Sequence, residues 1–312
     1  QGHMDMVCVA KPGVAFDPQK DPIKLVREGN ILRADGTSLG ADDGIAVAIS
    51  LYLIQQKIQH GPLRLIFTVD EETNMTGALS LSADHVKDAK YVINCDSESI
   101  HVICVASAGS CHMEFTRDLH RCALTGDTAL TVRAHALAGG HSGEVINEGR
   151  GNAIKAVADI LYRLSEGGVE YALADYKGGV AANAIPSDAS AVIVVAAKDV
   201  DRVKATVAAA EKDFHLVYGE TDPNAVFEVT PADLPKSVLS AEDTTSIVDV
   251  INLLHCGVFA MDRRLPRLPA LSASLGTIET REDVLAFQYF PRSSSDARLQ
   301  ALVRVMPIMA KS

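Results

Sequence analysis

The cysteine spacing of a metal or disulfide framework is missing from this sequence. Six cysteines, at 8, 95, 104, 111, 122 and 256, form no CxxC pair and no tight cluster. That argues against a thiolate zinc site or a disulfide scaffold and predicts reduced, mostly buried thiols in a cytoplasmic setting. Cations are also in deficit, with Lys+Arg 29 against Asp+Glu 40 and a formal charge of −11. Nucleic acid and anionic membrane surfaces both need clustered positive charge, so neither is an expected partner, and the acidic clusters point toward cations instead. No apolar run reaches the ~18 residues of a membrane span and no charged-then-apolar leader is present, so a soluble chain is expected. Without a secretory signal, the sequon Asn74-Met75-Thr76 is a chance match. Low-complexity linkers and short-period repeats are absent too.

What is present is enough to fold. A length of 312 residues allows two domains, and 47% apolar content describes a globular protein with a core. In the first third, MVCVA (6–10), LRLIFTV (63–69) and YVIN (91–94) are predicted strands, and GIAVAISLYLIQQKIQ (44–59) is a predicted helix. That alternation implies an α/β layer with a largely parallel sheet. The texture changes near residue 110. ALTVRAHAL (129–137) and ASAVIVVAA (189–197) predict strands, and GNAIKAVADILYRLSEGG (151–168) and DVDRVKATVAAAEKDF (199–214) predict helices. LSASLGTIETREDVLAFQYF (271–290) predicts a hairpin, and SDARLQALVRVMPIMA (295–310) a helix capped by Ser or Asp.

Ligands of open α/β sheets gather beyond the carboxyl ends of the strands, and there the sequence is acidic. LIFTV runs into Asp70-Glu71-Glu72, YVIN runs through Cys95 into Asp96-Ser97-Glu98, and Asp42-Asp43 stand where the long helix starts. His3 and Asp5 share one face of a strand by their i, i+2 spacing. Singly each cluster has a plain explanation, since Asp42 and Asp43 suit a helix N-terminus and a Glu-Glu pair suits a solvated loop. Together they would repel one another and raise each other's pKa unless a cation neutralised them. Mixed His, Asp and Glu donors suit zinc, manganese or cobalt.

The ordered set QGHMDMV, TSLGADDGIAVA, VDEETNMTGA, INCDSE and GGHSGEVINEGRGNAIK resembles the aminoacyl-histidine (Xaa-His) dipeptidases, a carnosinase-like branch of the co-catalytic zinc exopeptidases that include aminoacylase and glutamate carboxypeptidase. The resemblance covers nearly the whole chain. It bears on the opening Gln-Gly-His-Met, which a cleavable tag also leaves behind: the motif continues into Asp5-Met6-Val7, so His3 is taken as a ligand. The resemblance implies a partial catalytic α/β domain over 1–109, with a mostly parallel sheet, and an inserted α+β lid of the dimerisation type over 110–312. It implies two divalent metal ions, zinc or else manganese or cobalt, held by His3, Asp42, Glu72 and Asp96, with Asp42 bridging and Asp5 orienting His3 from behind. Glu71 matches the general base. Neighbouring residues after a strand point apart, so Glu72 ligates while Glu71 reaches the attacking water. His141 matches the lid donor to the oxyanion, supplied in dimeric relatives by the opposite subunit. Asn183 and Arg292 match substrate-holding positions, with Arg292 suited to a dipeptide's C-terminal carboxylate.

The chain departs from the family in two places. Ala182 stands where relatives usually carry Arg, just before Asn-Ala-Ile-Pro. Relatives also begin earlier and continue into a second catalytic segment that bears one more His ligand. The sequence is thus expected to be an internal portion or a shortened product, with weakened metal binding. His255 is the nearest substitute, but it is expected to end a helix. The implied function is hydrolysis of small unblocked Xaa-His-type dipeptides by a cytoplasmic homodimer. The alternatives are another exopeptidase or amidohydrolase of the superfamily, such as an aminotripeptidase or aminoacylase, or an inactive dimer or binding module.

Overall fold

Short segments and one long helix make up Gln1–Cys104, the first of two compact units in the computed structural model, which describes residues 1–11, 13–97 and 101–311. Its elements are β1 (Gly2–His3), β2 (Leu25–Glu28), β3 (Ile31–Ala34), α1 (Ala41–Gln55), β4 (Phe67–Thr68) and α2 (Thr76–Leu79). β1 and β4 pair in parallel, and β2 and β3 form an antiparallel hairpin across Gly29, whose φ of 61° a glycine adopts without strain.

The sequence predicts longer strands here than the structure contains. MVCVA is not a strand, because its backbone bonds to side chains: Val7 N–H donates to Glu72 Oε1 at 3.3 Å, and Val9 N–H to Ser38 Oγ at 3.1 Å. The pairing strand lies upstream of it, at Gly2–His3. Of LRLIFTV only Phe67–Thr68 joins a ladder. YVIN is irregular, although the Gln1 nitrogen donates to Ile93 O at 2.7 Å and Cys95 N–H to Gln1 O at 3.1 Å. These bonds set the segments ending at His3, Thr68 and Cys95 side by side, so the residues after each come together. The expected mostly parallel sheet is, among the described residues of this unit, one two-residue parallel pair. The predicted 44–59 helix ends at Gln55, where Gln56 turns extended at ψ 144°.

The second unit, Val105–Ser312, has β5 (Gly109–Ser110), β6 (Met113–Asp118), β7 (Arg121–Cys122), β8 (Thr128–His135), β9 (Gly140–His141), α3 (Ala153–Glu166), β10 (Tyr171–Gly178), β11 (Ala184–Ile185), β12 (Ala189–Val195), α4 (Val200–Tyr218), β13 (Val226–Pro231), β14 (Val238–Leu239), α5 (Ala241–Leu253), β15 (Gly257–Met261), β16 (Pro269–Arg281), β17 (Val284–Ser293) and α6 (Asp296–Met309). A nine-stranded sheet runs β13-β8-β12-β10-β16-β17-β5, with β15 also on β16 and β6 also on β17. All of its pairings are antiparallel. The predicted hairpin is β16 and β17, turning at Glu282-Asp283.

α3 shows how this unit is built. Asn152 Oδ1 accepts the Lys155 N–H at 3.2 Å, capping the helix, and Gly168 closes it at φ 70°. Between these ends Ile154, Val157, Ile160, Leu161 and Leu164 recur at helical spacing and are 0% exposed. They pack against the sheet strands β8, β10 and β12 and the neighbouring helices α4 and α5. Ser295 precedes α6 but makes no capping bond, contrary to expectation. The thiols are less buried than expected: Cys8, Cys104 and Cys122 are exposed, and Cys95, Cys111 and Cys256 half-buried. No helix among the described residues is long and apolar enough to cross a membrane.

Candidate active site

The first unit gathers charge around one histidine. His3 is 1% exposed, and its Nε2 lies 3.1 Å from Asp42 Oδ1, 3.9 Å from Glu71 Oε2 and 4.0 Å from Asp96 Oδ2. Burial lowers the His3 pKa, but the Asp42 hydrogen bond and the other carboxylates prevail and hold it above its ordinary value. Ligand atoms of His3, Asp42 and Glu72 all lie within 4.8 Å of one another, as do those of His3, Asp43 and Asp96.

Each acid reaches this point by a local device. Asp42 (φ −87°, ψ 112°) and Asp43 (φ −110°, ψ 35°) are not helical, and a cis peptide joins them at the start of α1. They are therefore not simple helix caps. Asp70 takes φ 61°, a left-handed conformation uncommon outside glycine, and its carboxylate accepts the Thr76 hydroxyl at 2.7 Å and also bonds Thr73. The Asp70 carbonyl accepts the Asn74 N–H at 3.3 Å. This turn ends the strand before Glu71 and Glu72, so strand alternation does not govern where the two point. Glu98, the last acid of its cluster, lies outside the described residues.

Asp5 orients His3 by more than its carboxylate. His3 Nδ1 is 2.9 Å from the Asp5 carbonyl and 3.5 Å from its carboxylate. The Asp5 side chain instead accepts the Glu72 N–H at 3.1 Å. Burial raises the Asp5 pKa, but the N–H groups of Glu72 and Glu71 outweigh it and hold the carboxyl below its ordinary value.

Asp43 is the residue that sequence reading left out. It is 1% exposed, and its Oδ2 accepts the His3 N–H at 3.2 Å. The available signal was the glycine before the histidine: a Cβ on Gly2 would lie 2.4 Å from Asp43 Oδ2 and 2.5 Å from the Ala46 Cβ. Only glycine lets the start of α1 come this close to β1.

This cluster suits divalent cations. Burial, and next the charge of Asp96, raises the Glu71 pKa, while burial followed by Asp42 and Asp43 raises that of Asp96. Asp5 Oδ1 is buried without a hydrogen-bond partner. Bound positive charge relieves such repulsion, and histidine with carboxylates and no thiolate is a donor set for zinc, manganese or cobalt.

The second unit assembles the three remaining residues. β9 pairs with β11, setting His141 opposite Ala184, next to Asn183, whose carbonyl accepts the Ser142 N–H and hydroxyl, both at 2.8 Å. Arg292, on β17, puts Nη2 3.4 Å from His141 Nε2 and lays its guanidinium over the Phe290 ring, 4.6 Å from the centroid. Burial lowers the Arg292 pKa, and its Nε is buried without a hydrogen-bond partner. No carboxylate forms an ion pair with it among the described residues, so this guanidinium can receive an anion. His255 lies beyond the end of α5, with Nε2 3.3 Å from the Val258 carbonyl and its ring against Phe259.

Residues 1–254 match the peptidase family M20/M25/M40. The chain is 30% identical over 315 residues to the cytosol non-specific dipeptidase of Escherichia coli (strain K12), an alignment covering 100% of this chain and 64% of that protein. It is also similar to the crystal structure of aminoacylhistidine dipeptidase from Vibrio alginolyticus, with a TM-score of 0.77 and 28% identity over 99% of this chain and 63% of that one. The chain thus spans less than two thirds of the length of these relatives.

Proposed function

The chain belongs to peptidase family M20/M25/M40, and from that premise we propose that the full protein hydrolyses the peptide bond of small unblocked dipeptides, Xaa-His dipeptides among them. The observation that carries this reading is the buried His3 imidazole facing Asp42, Glu71 and Asp96 within 4.0 Å. His3, Asp42, Glu72 and Asp96 would hold two divalent cations, with zinc first and manganese or cobalt as alternatives, and Asp43 supports His3 by accepting its backbone N–H. When bound, the cations polarise the substrate carbonyl and acidify the attacking water.

Glu71 is the general base. Its carboxylate takes the proton of the attacking water and passes it to the departing amine nitrogen as the C–N bond breaks. Asp5 keeps the His3 ring in place from the Nδ1 side. His141 donates to the developing oxyanion, Arg292 grips the substrate's C-terminal carboxylate and Asn183 holds the substrate. The two named relatives, one non-specific and one acting on aminoacyl-histidine, favour a broad dipeptide class over a single side chain. Residues 1–109 serve as the metal-binding part and 110–312 as a lid through which the protein dimerises. A cytoplasmic setting follows the relative that is named for the cytosol.

Glu71→Gln in the full protein is the test. It is expected to keep its bound metal and lose roughly 10²- to 10⁴-fold in kcat. Loss of metal would move Glu71 among the ligands, and unchanged turnover would remove it from the mechanism.

A further inference from the structure

His141 sits in a loop with little regular secondary structure. Between the end of β8 at His135 and the start of α3 at Ala153, Gly139, Gly140 and Gly149 take φ of 60°, 118° and 73°, and β9 contributes two paired residues. Tying the flanks of such a segment limits the positions His141 can take. A single buried carboxylate ties both.

Asp222 is 1% exposed and lies in the turn after α4. Its Oδ1 accepts the Ala138 N–H at 2.7 Å and its Oδ2 accepts the Gly151 N–H at 2.8 Å; the Thr221 hydroxyl donates to Oδ2 at 3.1 Å. Ala138 and Gly151 stand on opposite sides of His141 in the chain. No cation pairs with Asp222 among the described residues, so these donors are what compensates a charge removed from water. The Thr221 hydroxyl also reaches the Gly149 carbonyl at 3.3 Å, and the Arg150 guanidinium bonds the Gly139 carbonyl inside the loop. The geometry calls for a carboxylate. Asparagine would offer one acceptor oxygen and turn an NH₂ toward the other N–H.

We propose that Asp222 is a positioning residue that clamps the 138–151 loop and thereby holds His141 against Arg292 and Asn183. This inference rests on the reading of His141 as the oxyanion donor. Asp222 touches no substrate in this scheme and acts through the loop.

The experiment is a double-mutant cycle in the full protein, using Asp222→Asn and His141→Ala with metal content and a dipeptide kcat and KM measured for each. Asp222→Asn is expected to keep its metal, lower kcat roughly 10- to 100-fold by displacing the donor, and change KM by less than about threefold. In the His141→Ala background it should cost nothing further, because the group it positions is gone. Losses that multiply, or an Asp222→Asn kcat equal to that of the parent, would overturn the inference while leaving the oxyanion reading intact. A His141→Ala enzyme with unchanged kcat would overturn that reading and the inference with it. Should Asp222→Asn fail to fold, hydrogen exchange in the unaltered protein decides. Ala138 and Gly151 amides protected like those of α3 support the clamp, and exchange as fast as in exposed turns refutes it.

Discussion

The two units differ in how much apolar surface they bury. Among the described residues of the first unit Ala46 is the one buried apolar side chain, while His3 and Asp43, both 1% exposed, are its most deeply buried ionisable groups. α1 leaves Ile45, Ile49, Tyr52 and Ile54 at 42–62% exposure. The second unit packs the apolar faces of α3, α4 and α5 with the sheet into one core that includes Leu161, Leu173, Ile193, Leu239 and Leu275 at 0–1% exposure. Apolar burial at ~25 cal/mol/Å² holds the second unit together, whereas the first depends on hydrogen bonds between short segments and on charges that a cation would balance. The apolar core and the His3–carboxylate cluster are thus separated along the chain.

The contrast can be broken at its strongest point. Leu161→Ala, in the middle of α3, is expected to destabilise the second unit by about 3 kcal/mol through lost burial and the cavity left behind. Hydrogen exchange of the α3 amides measures it. A cost under about 1 kcal/mol would show the core to be loose and the contrast overstated.

Asp243 tests whether charge also matters in the second unit. It is 0% exposed; Oδ1 accepts Arg117 Nε at 2.9 Å, and Oδ2 accepts the His120 N–H at 2.7 Å. Burial raises its pKa, but the His120 N–H and Arg117 prevail and hold it below the ordinary carboxylate value. A depressed folded pKa gives stability that is present above the unfolded value, ~4, and is lost as pH falls through the folded value. Asp243→Asn is therefore expected to cost about 2 kcal/mol at neutral pH. In urea titrations at several pH values the gap from the parent should close below pH ~4. A gap that stays constant with pH would show that packing, and not ionisation, accounts for it.

Ile49→Ala in α1 carries the smallest expected effect. With Ile49 42% exposed, and alanine the better helix former, the change should stay within about 0.5 kcal/mol. A cost approaching that of Leu161→Ala would mean that another surface covers α1 in the full protein, and the contrast would then belong to this chain alone.

Periodicity was legible where a core rewards it. The apolar spacing of α3, the alternation of β8 and the β16–β17 hairpin can each be read from the residues, because each element buries one regular face. In the first unit the same reasoning failed. Val7 and Val9 have the composition of a strand, yet they are 48% and 57% exposed, and their N–H groups bond Glu72 and Ser38. Where few side chains are buried, hydrogen bonds to individual side chains decide the backbone, and they leave no period in the sequence.

Which residues could gather around His3 was largely legible in the sequence: acids after successive apolar segments, a histidine upstream of them, and an ordered set of motifs distinctive enough to mark a family. Their arrangement was left to tertiary structure. Asp43 joins His3 because Gly2 lets α1 close on β1, and Asp5 meets His3 through its carbonyl as well as its carboxylate. Asp222, 71 residues from Gly151 and 84 from Ala138, ties the His141 loop from both sides. Sequence fixes which donors and acceptors exist. Contacts across such separations depend on backbone close approach and on which buried N–H groups lack a partner, and both arise only once the chain has folded.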